Sequence, residues 1–115
     1  TGIPVTIDIL PRKAVNTVNL RSQGLISVAV LTDSEFDAAE VATETTRFGP
    51  SQAPATRYWL RDVDGDGDED LLLFFRIQQT GIACGDSEAS LSGETSDATP
   101  ITGSDSIVTR NCPRR

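Results

Sequence analysis

Residues 56–77 read TRYWLRDVDGDGDEDLLLFFRI, two strand-like runs on either side of the acidic nonapeptide DVDGDGDED (62–70). In the exit run Leu71, Leu73, Phe75 and Ile77 fall on one face and Leu72 and Phe74 on the other, the period of a β-strand. The entry run TRYWLR is rich in the aromatic residues that strands favour. The pattern is therefore strand, acidic turn, strand, and the turn decides what kind of protein this is.

Laid on a calcium-loop template, Asp62, Asp64 and Asp66 take positions 1, 3 and 5. Gly67 takes position 6, where the sharp bend favours a residue without Cβ. Asp68 takes position 7, which coordinates through its main-chain carbonyl, and Asp70 takes position 9. An EF-hand needs a bidentate Glu at position 12, which here is Leu73, and flanking helices, which here are strands. The loop resembles instead the D-x-D-x-D-G-x-x-D loops between β-strands of several extracellular repeat families, in which the ninth-position Asp replaces the missing Glu. Without a cation, each pair of carboxylates held close costs about 1–4 kcal/mol at surface-like dielectric. A bare acidic turn gains nothing to offset that, and an oxygen-only donor set of this size suits Ca²⁺ better than Mg²⁺.

Outside this hairpin the chain is a succession of short strands. IPVTIDIL (3–10) places Ile3, Val5, Ile7 and Ile9 on one face, and LISVAVLT (25–32) places Ile26, Val28 and Val30 together. DSEFDAAEV (33–41) reads as a helical turn capped by Asp33 or Ser34, with Phe36 and Val41 as its apolar plugs. TTRFG (45–49), SEASLSGET (87–95), TPITGS and DSIVTR (105–110) read as further strands, while 11–24 and 78–86 read as irregular connections. Seven or eight short strands with no long helical period predict an all-β fold: an antiparallel β-sandwich, Ig-like or Greek key, with an up-and-down barrel as the alternative. Residues 1–115 form one domain in this reading, because a chain of 115 residues supports one modest core.

Composition narrows the function. The net charge is −7, which disfavours phosphate backbones and anionic lipid, so nucleic acid is excluded as a partner. No apolar run approaches the ~20 residues of a membrane-spanning helix, so membrane insertion is excluded too. Histidine is absent, removing the commonest acid–base residue and the commonest transition-metal ligand. Nothing separates the roles of Asp86, Glu88, Asp97 and Asp105 into an acid and a base, and the expectation is a protein that is not an enzyme. Cys84 and Cys112 are the only cysteines, with no CxxC spacing, and read as one disulfide that stabilises the fold by about 3 kcal/mol. The start at Thr1-Gly2-Ile3, with no initiator Met, reads as the processed end of an exported product. These features predict a secreted, extracellular or cell-surface location.

Taken in order, TIDIL, LISVAVLTDSEFDAAEV, RFGP, LRDVDGDGDEDLLLFFR and QQTGIACGDSEASLSGET resemble an uncharacterised module of secreted prokaryotic multidomain proteins. The match covers most of residues 5–108. It implies an exported calcium-binding sandwich of unassigned activity, with Asp62, Asp64, Asp66, Asp68 and Asp70 as metal-loop residues and none as catalytic. The chain departs from that pattern at Ser90 and Ser104, where a second cysteine pair is expected, and at Phe74, where a polar residue is common.

Three functions are open on this reading. The first is a calcium-stabilised structural protein that self-assembles into a surface filament or adhesion structure, residues 1–10 being a strand available for donation to a neighbouring subunit. The second is an accessory module that binds polysaccharide or a cell-surface protein, for which Tyr58 and Trp59 are the stacking candidates, although adjacent strand residues face opposite ways. The third, a calcium-dependent hydrolase, lacks a catalytic set.

Overall fold

The computed structural model describes residues 2–11, 13 and 15–112. The strands run β1 (Ile3–Pro4), β2 (Ile7–Ile9), β3 (Thr17–Asn19), β4 (Leu25–Val30), β5 (Val41–Phe48), β6 (Ala53–Arg61), β7 (Asp70–Arg76), β8 (Glu88–Thr95), β9 (Pro100–Ser106) and β10 (Val108–Arg110). Two short helices interrupt them, a 3₁₀ turn at Ala38–Glu40 and α1 at Ile77–Thr80. The 3₁₀ turn is capped by the carboxylate of Asp37 rather than by Asp33 or Ser34, and Phe36 and Val41 are buried beside it as the apolar pattern requires.

Eight strands form one mixed sheet in the order β1-β9-β8-β5-β6-β7-β4-β2. This curled sheet, a half-barrel, replaces the expected antiparallel sandwich. The reason lies in β5, which pairs with β8 on one side and with β6 on the other. Strands that would otherwise divide into two facing layers are thereby joined into one. The N-terminal segment supplies the curl. β1 and β2 sit at opposite ends of the strand order, yet only Val5 and Thr6 separate them in the chain. Val5 N–H donates to Thr102 O at 2.8 Å on one edge, and Leu31 N–H donates to Thr6 O at 2.9 Å on the other. One extended segment thus spans both edges.

Two pairings are parallel, β1 with β9 and β3 with β10, and neither is signalled in the sequence. The β3–β10 ribbon comes from stretches with too few alternating apolar residues to declare themselves. The Asn16 side chain fixes it, donating to Asp105 Oδ2 at 3.0 Å and to Ser106 O at 2.8 Å. Just beyond β10, Cys112 is bonded to Cys84, with Cα atoms 5.4 Å apart.

The concave side of the curl holds the core. Ile9, Ile26, Val28, Val30, Phe48, Leu71, Leu73, Phe75, Leu91 and Ile101 are fully buried there. Phe48 and Phe75 touch with ring centroids 5.2 Å apart, a contact of β5 with β7 that is stronger than its area alone. Ile77, assigned to this face by its spacing, turns into α1 and is half-buried. Beyond Arg47–Pro54 and Phe48–Ala53, β5 and β6 part, which leaves Tyr58 and Leu60 exposed although both lie on the core side of β6.

Candidate metal centre

The acidic loop is the turn between β6 and β7, two antiparallel neighbours joined from Arg61–Asp70 to Trp59–Leu72 and on. It curls on its own hydrogen bonds. Gly65 and Gly67 N–H groups both donate to the Asp62 carboxylate, each at 2.9 Å. Asp66 N–H donates to Asp64 Oδ1 at 3.3 Å, and Asp68 N–H to Asp66 Oδ1 at 2.9 Å. Gly65 and Gly67 have φ of 76° and 92°, the left-handed region where a side chain is strained, so both turns depend on glycine.

This folding brings carboxylate oxygens of Asp62, Asp64, Asp66 and Asp70 within 4.8 Å of one another. The first three are exposed and Asp70 is wholly buried. Asp68 is exposed and its carboxylate stands outside the cluster, at the position where the template uses only the main chain. Among the described residues Asp33, Asp37, Asp86 and Glu88 form no second group of this kind.

Asp70 couples the loop to the sheet. Its Oδ1 accepts from Thr32 N–H at 2.8 Å and its Oδ2 from Val63 N–H at 3.0 Å. Thr32 also donates its hydroxyl to Glu69 O at 2.7 Å and accepts from Ala38 N–H at 2.8 Å. The segment after β4, the 3₁₀ turn and the acidic loop therefore share one polar junction. Sequence reading did not find Thr32; its only signal is a hydroxyl directly after the buried run LISVAVL.

The loop's electrostatics differ from one carboxylate to the next. The N–H groups of Gly67 and Gly65 hold Asp62 below the usual carboxylate range, against some loss of hydration. Asp64 goes the other way, to about 6, through loss of hydration, a hydrogen bond to the Asp66 side chain, and the charges of Asp70 and Asp66. Four anionic oxygens so close, all hard donors, fit a divalent cation by number and chemistry.

On the convex side of the hairpin, Trp59 lies 4.9 Å from Phe74 between ring centroids, and the Arg57 guanidinium stands over both rings at 5.7 and 5.5 Å. Tyr58 pairs with Leu73 and Trp59 with Leu72, so the two adjacent aromatics do face opposite ways. Phe74 is Trp59's actual neighbour. Leu72 is buried and Phe74 half-buried, and both line a cleft together with Leu10 and Pro11 of the loop after β2.

Comparison with protein-family models, with curated proteins and with solved structures finds no match to this chain. What stands of the sequence resemblance is an acidic cluster able to hold a metal within a mostly β fold.

Proposed function

We propose that this chain is a non-enzymatic, calcium-stabilised extracellular β-domain whose cation serves architecture. The convergence of four carboxylates from one inter-strand loop carries the reading. Every candidate ligand belongs to residues 62–70, so the ion staples a turn, and Asp70 passes that order to β4 through Thr32. The donor count and flexible loop favour Ca²⁺ over the stricter octahedron of Mg²⁺. The disulfide fits the oxidising compartment this reading requires. The test is thermal unfolding with Ca²⁺, with Mg²⁺ and with EGTA. Calcium should raise Tm by about 10–15 °C, the equivalent of about 3 kcal/mol at 100-fold saturation; equal Tm in all three conditions would sink the proposal.

Within that class we favour a subunit of a surface filament or adhesion structure. The supporting observation is the N-terminal segment: the slot it fills between β4 and β9 exists in every copy, so a neighbour's segment fits it equally well. Electron microscopy of the purified protein tests this. Fibres that vanish on deletion of residues 1–10, leaving a folded monomer that binds the matching peptide without re-forming fibres, support strand donation; a full-length protein that is monomeric at every concentration counts against it. An accessory binding module is the second reading, favoured by the partly exposed Trp59 beside Phe74. Retention on polysaccharide that is lost in Trp59→Ala would select it.

A further inference from the structure

A cleft of about 230 Å³ lies on the convex side of the sheet, between the loop after β2 and the β6–β7 hairpin. Its floor is apolar, made by Leu72 and Phe74, and Leu10 and Pro11 wall it on one side. Two cations stand on its rim, Arg61 and Lys13, both exposed. In a chain of net charge −7 a place where bases outnumber available acids is unusual. The remaining lining is Ser27 of β4 and Asp62–Val63, the first two residues of the acidic loop.

We infer that this cleft binds a small amphipathic anion, one apolar ring or short chain carrying a single carboxylate or sulfonate, and that filling the metal loop switches the site on. The volume sets the size: it lies below the ~300–1,000 Å³ of pockets that hold drug-sized ligands, so the occupant is a fragment. Charge sets the sign, because the rim offers Arg61 and Lys13 to an anion seated on an apolar floor. The coupling follows from Asp62, which lines the cleft and belongs to the four-carboxylate cluster. With the loop empty, an incoming anion meets that cluster's full negative charge; with a divalent cation in place, much of it is cancelled. Linkage is reciprocal, so the ligand also tightens the cation.

This inference rests on the calcium reading, and the experiment separates the two. Phenylbutyrate is titrated into the full chain, followed by the methyl shifts of Leu10 and Leu72, with phenylbutanol and phenylbutylamine as neutral and cationic counterparts. Calcium loading is read independently from Tm. The acid should bind about ten-fold tighter with calcium than in EGTA, and better than either counterpart. Arg61→Glu should remove that preference, whereas Arg21→Glu, which changes net charge equally but does not line the cleft, should leave it. Asp64→Asn with Asp66→Asn should bind the acid tightly in EGTA as well, because the repelling charge is gone. If calcium leaves Tm unchanged yet the double variant still gains affinity, the cation reading fails and the cleft stands. If the three probes bind alike, or none shifts the Leu72 methyls, the cleft inference is overturned whatever calcium does.

Discussion

Asp70 is the residue on which loop and sheet both depend. Its two oxygens are the acceptors for Thr32 and Val63 N–H groups in a place without water, and each buried donor left unsatisfied costs about 1–3 kcal/mol. Asp70→Ala should therefore lower unfolding free energy by about 3 kcal/mol even in EGTA. Asp64→Ala in EGTA should leave stability unchanged or raise it, since it relieves repulsion. Urea denaturation of the two variants side by side checks the contrast. Asp97 makes a separate prediction. Hydroxyls of Thr95 and Thr99 donate to its carboxylate in the β8–β9 turn and hold its pKa below 3.8. A carboxylate depressed in the folded state adds stability that is present above the unfolded value and lost as pH falls through the folded one. Asp97→Ala should thus show a small deficit in Tm at pH 6 that shrinks as pH falls below the ordinary aspartate range. The five aspartates of the loop were legible in the sequence because the spacing D-x-D-x-D-G encodes a local turn, complete within itself. Thr32 was not, because it lies 38 residues from Asp70 and nothing local ties the two.

The N-terminal segment shows the same divide for whole strands. Its alternation puts Ile3, Val5, Ile7 and Ile9 on one face; Val5, Ile7 and Ile9 are buried and Ile3 is half-buried. Period-two patterning names a face but not a partner, so the break that sends β1 to β9 and β2 to β4 left no trace in it. β5 fared similarly. Only its end, Thr45–Phe48 in TTRFG, is legible as a strand; Val41–Glu44, whose first two residues extend the pairing with β8 beyond a bulge, is not, and a sandwich is the natural reading without it. The junction of β1 with β9 is tight at Gly103, where a Cβ would meet Val5 O at 2.5 Å. Gly103→Val should cost about 1–3 kcal/mol by overpacking and speed hydrogen exchange at Val5, whose N–H bonds Thr102 O across that seam. An unchanged exchange rate would mean the segment docks elsewhere.

On the calcium reading proposed above, the molecule has two local fasteners at a distance from each other in sequence, the acidic loop and the Cys84–Cys112 bond. The disulfide holds the end of the β3–β10 ribbon against the loop after α1, where Gly85 N–H also donates to Thr109 Oγ1 at 2.9 Å. Replacing both cysteines by Ser should cost about 3 kcal/mol, read as a lower denaturant midpoint. Added calcium should recover part of that loss, the two fasteners being independent.

The bridging of both sheet edges by residues 3–9 also constrains the order of events during synthesis. Ile3 pairs with Ile101, so β1 leaves the ribosome long before the strand it pairs with. Until β9 has emerged, an isoleucine-rich segment lacks half its partners and the sheet keeps two open edges. Closure of so long a loop is slow relative to hairpin formation. The seam between β1 and β9 therefore closes only after the strands between them have been made.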